Sequence, residues 1–293
     1  MTAYAIRHVT RFSYDYPVLF ARCNLRLAPI DFDGQTVQRH RVEVDPAADV
    51  HAARPSGYPV STVRAVVSTP STSLTIESEA RVTVDRVAPV ATREDPSVAD
   101  AARAARGFAD IGPLAPANYL FPSPLIAAFP AIAAWCAVEL RPDRGVVEAG
   151  LALSKAIQAA FVYDGSATEL DTSPAEAFTA RHGVCQDFAQ IMISGARSAG
   201  LAAAYVSGYL RTMPPPGKER LVGADATHAW VLIWCGEERG WIGYDPTNGV
   251  TMGPDHIITG IGRDYADVSP IDGIFLGREG QKIDVSVDVE PLD

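Results

Sequence analysis

Over the first third of the chain, apolar and polar positions alternate with the period of a strand that keeps one face in a core. Leu74, Ile76, Ser78, Ala80, Val82 and Val84 interleave with Thr75, Glu77, Glu79, Arg81, Thr83 and Asp85. Tyr4, Ile6, His8, Thr10 and Phe12 share that spacing, as do Val42 and Val44, and turn signals at Asp33-Gly34 and Ser56-Gly57-Tyr58-Pro59 separate the runs. The pattern predicts an antiparallel, β-sandwich-like module over residues 1–90. Residues 89–96 then turn Pro- and acid-containing, and Ala-rich stretches at 97–108 and 124–140 read as helices within a linking segment, 91–145. The longest apolar run, Leu125 to Val138, is interrupted by Pro130 and is too short to span a bilayer, so a kinked buried helix is expected.

Residues 146–293 begin with helical periodicity and return to strands. One helix is expected at 146–161 and two more within 171–199, the first capped by Asp171 or Thr172 and ended by Gly183. The second starts at Val184-Cys185 and stops at Gly200, where a left-handed residue is wanted. Leu201–Leu210, Thr227–Cys235 and Trp241–Asp245 read as strands, the last two joined as a hairpin through Gly236-Glu237-Glu238-Arg239-Gly240. Ile283, Val285, Val287 and Val289 make a final alternating strand. Strands, then helices, then strands predict an α+β fold.

Composition narrows the partners. A net charge of -10 over 293 residues argues against nucleic acid or an anionic membrane as the main partner. The first residues hold no apolar signal region, so a cytoplasmic location is expected. The four cysteines form no CxxC pair and no Cys/His metal spacing, and no phosphate- or dinucleotide-binding glycine pattern occurs. Neither metal nor cofactor is expected.

One cysteine has a special setting. Cys185 follows a glycine and opens a helix, where free N–H groups and the helix dipole favour a thiolate and could hold a carbonyl oxyanion. A thiolate nucleophile needs a base, and the base an orienting acceptor. His228 opens one strand of the hairpin and Asp245 ends the other. A turn centred between Gly236 and Glu237 would set the two directly opposite, and a turn centred on Glu238 would miss by three residues. By alternation Trp230 shares the face of His228 and either walls the site or packs in the core, while Cys235 faces the other way. Tyr163 is a candidate for lining a substrate groove, and Asp187 for a hydrogen bond in the first turn of the Cys185 helix.

His182-Gly183-Val184-Cys185-Gln186-Asp187-Phe188-Ala189, Tyr205-Val206-Ser207-Gly208-Tyr209, Asp225-Ala226-Thr227-His228-Ala229-Trp230 and Gly240-Trp241-Ile242-Gly243-Tyr244-Asp245-Pro246-Thr247-Asn248 together resemble the transglutaminase-like superfamily. Tyr14-Asp15-Tyr16-Pro17-Val18 and Leu25-Arg26-Leu27-Ala28-Pro29 resemble the β module that precedes its core in bacterial members, and Gly262–Pro270 resembles their C-terminal segment. The resemblance implies a papain-like α+β core with Cys185 as nucleophile, His228 as base and acid, and Asp245 as imidazole orienter. It implies a peptide, protein or amide substrate and a thioester intermediate. Hydrolysis is expected ahead of transfer to a primary amine; a non-catalytic binding module keeping the fold is the alternative of another class. Gln190 and Leu232 depart from residues common in that family, which bears on substrate preference.

Overall fold

The alternating segments do form strands. In a computed structural model of the chain, described for residues 1–164, 172–212, 226–278 and 280–292, the first module holds β1 (Thr2–Val18), β2 (Phe20–Leu25), β3 (Gln35–Asp45), β4 (Asp49–Ala52), β5 (Val63–Val67) and β6 (Ser71–Val84). The middle holds α1 (Val98–Gly107), a 3-10 turn at Pro116–Tyr119, α2 (Pro130–Cys136), α3 (Val146–Ala160), β7 (Val162–Tyr163), α4 (Pro174–Ala180), β8 (His182–Gly183) and α5 (Cys185–Ser198). Then follow β9 (Ala203–Leu210), β10 (Ala226–Trp234), β11 (Trp241–Asp245), β12 (Val250–Thr251), β13 (His256–Gly262), α6 (Tyr265–Val268), β14 (Ile271–Leu276) and β15 (Gln281–Pro291).

Two four-stranded sheets, ordered β15-β1-β6-β3 and β14-β2-β5-β4, make the sandwich. Phe12, Leu74 and Ile76 from the first interlock with Ala21, Cys23, Leu25, Ala65 and Val67 from the second. Each sheet therefore takes one strand from the far end of the chain. The tail pairs antiparallel with β1 from Tyr4↔Pro291 to Tyr14↔Gln281, so the sandwich closes only after the core has been traversed.

The core is a five-stranded antiparallel sheet, β12-β11-β10-β9-β13, with α5 against β9 and β10 and with α2 and α4 on α5. One face of β10, through Ala229, Val231 and Ile233, with Cys235 just past its end, meets Phe188, Ile191 and Met192 of α5. The other, through Trp230, Leu232 and Trp234, meets Val206, Met252 and Ile258. A further cluster crosses the seam between units: Tyr4, Ile6, Val82 and Val289 of the sandwich pack on Tyr209 and Ile257 of the core.

Several expected boundaries shift, with identifiable causes. The stretch 124–140 is helical only over Pro130–Cys136, because proline, lacking an N–H, starts a helix here rather than kinking one. The cap of α4 is Ser173, whose hydroxyl accepts from Glu176 N while Glu176 reaches back to Ser173 N; Asp171 lies outside the described residues. Arg181, in left-handed geometry, ends that helix, and Gly183 belongs to β8. Gly200 does end α5, at φ 81°. No helix among the described residues is long and apolar enough to cross a membrane.

Candidate active site

Sequence order builds the first corner. The parallel pairing of β7 with β8 delivers the chain to Val184, whose N–H donates to Asp187 Oδ2 at 2.8 Å. That carboxylate closes the first turn of α5, as expected for Asp187, and complements the positive end of the helix. A Cβ at residue 183 would stand 2.7 Å from the same Oδ2, so glycine there leaves room for the carboxylate that closes the turn. Cys185 thereby opens the helix and, alone of the four cysteines, is not buried. Burial pushes the other thiols up, Cys23 to about 11 and Cys136 and Cys235 to about 12, which leaves them inert packing groups.

The hairpin builds the second corner, in a register between the two considered from sequence. Val231 pairs with Tyr244 and Trp234 with Trp241, so Trp230 comes opposite Asp245 and His228 is its diagonal neighbour on one face. The diagonal suffices: His228 Nε2 lies 2.9 Å from Asp245 Oδ2. Gly208 faces His228 across the β9–β10 pair; a Cβ there would meet Ile257 O at 2.1 Å and the Trp230 ring at 2.5 Å. Glycine is the residue that lets β13, β9 and the Trp230 ring approach so closely.

Asp245 is wholly buried and saturated with donors. Its Oδ1 accepts from Thr247 N (3.0 Å) and Asn248 N (3.2 Å), and its Oδ2 from Asn248 Nδ2 (2.6 Å) and both imidazoles. Ser154 Oγ of α3 donates to its carbonyl at 2.8 Å. Burial works to raise its pKa, but the hydrogen bonds from His228 and His256 and their charges prevail and hold it well below the usual carboxylate range. Burial likewise opposes charge on His228, yet hydrogen bonds to Asp245 and Cys185, with the charges of both, carry its pKa up to about 10. The imidazole thus joins the thiol to the carboxylate, Nε2 toward Asp245, which leaves Nδ1 for the sulfur.

The structure therefore brings Cys185, His228 and Asp245 together. It separates the other two candidates. Trp230 is 0% exposed, stacked under His228 with ring centroids 6.0 Å apart, so it supports the imidazole from inside the protein and offers substrate no surface. Tyr163 is 58% exposed with its ring edge-on to Phe188. Partial burial and then the nearby Cys185 charge raise its phenol pKa.

One residue escaped the sequence reading. His256, at the start of β13, donates from Nε2 to Asp245 Oδ2 at 3.1 Å. The short apolar run Ile257-Ile258 after Pro254-Asp255 was a weak strand signal, and nothing in the spacing tied it to Asp245. His228, Asp245 and His256 bring three ligand atoms within 4.8 Å, a set that could hold a metal ion and that was not expected. The hydrogen bonds already give each of those atoms a partner.

Residues 136–246 match the model of the transglutaminase-like superfamily, and residues 4–83 match that of the bacterial transglutaminase-like N-terminal region. An uncharacterized protein of Mycobacterium tuberculosis is 37% identical over 294 residues, covering 99% of this chain and 93% of that one. An uncharacterized protein of Mycobacterium leprae is 32% identical, covering 97% of each. Among solved structures, a Cytophaga hutchinsonii protein described as a "Putative Cysteine Protease" superposes with a TM-score of 0.74 at 18% identity, covering 100% of this chain and 91% of that one. At that identity the likeness is one of fold.

Proposed function

Because this chain belongs to the transglutaminase-like superfamily, we propose that it is a cysteine hydrolase of peptide or carboxamide bonds, acting through a thioester on Cys185. The observation that carries the reading is the buried Asp245 carboxylate 2.9 Å from a His228 ring that also bonds the Cys185 thiol at a helix start. With His228 protonated, Cys185 is the thiolate and attacks the carbonyl carbon, and the C=O electron pair moves onto oxygen. Backbone N–H groups at the start of α5, including that of Cys185, face the oxyanion. As the oxyanion collapses, His228 Nδ1 gives its proton to the departing amine and the C–N bond breaks. The neutral imidazole then takes a proton from water; hydroxide attacks the thioester, and the acid product leaves as the thiolate and imidazolium are restored. Asp245 holds the tautomer throughout and stays ionised. Tyr163 lines the substrate side of the sulfur. The cysteine-protease description of the Cytophaga hutchinsonii protein supports hydrolysis as the outcome.

The test is a screen of peptides and carboxamides, with and without a primary amine, against wild type and Cys185→Ala. Turnover should vanish in the variant while its Tm stays nearly unchanged. Turnover that survives reassigns the nucleophile; an amine adduct as main product makes the enzyme a transferase by the same chemistry.

A further inference from the structure

His256 is held by the sandwich, not by the core sheet alone. Its Nδ1 accepts the Gly253 N–H at 3.2 Å, so its Nε2–H is the edge aimed at Asp245. The segment 253–258 that presents it is gripped from three places in the first module. Arg86 donates from Nη1 to the carbonyls of Gly253 (3.0 Å) and His256 (2.9 Å) while its Nε is fixed by Asp33. Gln35 brackets Ile258 on both sides, donating to its carbonyl and accepting from its N–H, each at 2.9 Å. Tyr4 donates to Asp255 Oδ1 at 2.9 Å. The seam around these bonds is apolar and sealed by Ile6, Val82, Tyr209 and Ile257.

We propose that His256 is a positioning residue for the Cys185 reaction, and that the N-terminal β module acts on the site through it, by fixing the 253–258 segment. The proposal rests on the reading of Cys185, His228 and Asp245 as the reacting set. Both imidazoles share one carboxylate oxygen, so His256 sets where Oδ2 lies and how the His228 ring is turned toward the sulfur. The module then works as one wall of the catalytic apparatus, and its presence in the same chain has a chemical reason.

Alkylation by iodoacetamide reads the Cys185–His228 pair without knowledge of the substrate, and peptide mass spectrometry localises the adduct. The full chain is used, at neutral pH, with Tm recorded for every variant. His256→Leu should slow alkylation of Cys185 by about tenfold, the effect of one unit in the thiolate–imidazolium balance. His256→Gln, whose amide can reach Asp245, should restore most of the rate; His256→Asn, whose shorter amide cannot, should stay slow. This pair decides the matter even if the leucine variant folds poorly. Arg86→Met should slow the same reaction, and in the double variant with His256→Leu the losses should not add, because both act through one hydrogen bond. If Arg86→Met is too unstable, Gln35→Met loosens the same segment at Ile258. Wild-type rates in His256→Leu and His256→Asn, with His228→Ala slow, overturn the proposal and leave the proposed function standing. A wild-type rate in His228→Ala overturns the proposed function itself. Additive losses in the double variant would overturn the part of the proposal in which the module acts through His256.

Discussion

The strands of the sandwich and those of the core sheet obey different rules. Strand β6 is buried at alternate positions along most of its length, its outer face carrying Glu77, Glu79 and Arg81 toward water. Strand β13 is buried at every position, and β9 at all but its last. Where one face is wet, polar groups need no partner and the ion pairs Arg7–Glu77 and Arg41–Glu79 are exposed and weak. Where both faces are covered, each polar group must be satisfied inside, so His228, Asp245 and His256 share bonds in one small network. The contrast explains why the candidate site lies in the core sheet: a buried carboxylate fixed by five donors is a pre-set electrostatic element, and an exposed one is not.

The largest break in that contrast comes from Asp245→Asn. The amide would present a donor or a weak acceptor to His228 Nε2 and disfavour the imidazolium, so activity on any substrate found should fall about ten-thousandfold. A turnover assay reads it, and undiminished kcat would make Asp245 a turn residue only. Next is Gly208→Ala, whose methyl would meet the Ile257 carbonyl at 2.1 Å. Backbone cannot yield cheaply there, so urea melts should show a loss of about 1–3 kcal/mol.

The pH response sharpens the comparison further. The raised pKa of His228 contributes stability that is complete below about 6.5 and is lost as pH rises toward about 10. The depressed pKa of Asp245 works in the opposite sense: its contribution is complete above about 4 and fades as acid protonates the carboxylate. The stability difference between wild type and His228→Ala, from denaturant melts, should therefore shrink from about pH 6 toward about pH 10. A difference flat across that span would refute the ion pair. The smallest effect belongs to the sandwich. Arg41→Ala removes exposed pairs with Glu43 and Glu79 and should cost under about 0.5 kcal/mol by the same melts.

Much of the site was legible because it is local. Gly183, Cys185 and Asp187 are neighbours in sequence, and their placement follows from the start of one helix. The His228–Asp245 partnership was legible as a shared face, but its register was not. Two strands joined by Gly236–Gly240 can pair in several offsets; in the one adopted, Gly236 and Gly240 are left-handed, Cys235 N donates to Gly240 O, and Trp230 and Trp234 pack with Val206 and Met252. The selected register puts Trp230 beneath the imidazole, out of substrate reach. The alternating strands β1, β6 and β15 were read as strands, yet the tail's partner was not evident, since alternation marks a buried face and carries no address.

By itself, then, the amino-acid sequence determined the α+β order, the helix that presents Cys185, and the residue types able to form a thiol–imidazole–carboxylate set. Each of these depends on interactions within a few residues or on a repeating period. The tertiary structure alone decided the register between His228 and Asp245, the entry of His256, and the grip of Tyr4, Gln35 and Arg86 on residues 253–258. Those contacts join positions up to 251 residues apart. They exist only because the seam cluster of Tyr4, Ile6, Val82, Tyr209, Ile257 and Val289 expels water, and no local pattern encodes which apolar surfaces will meet.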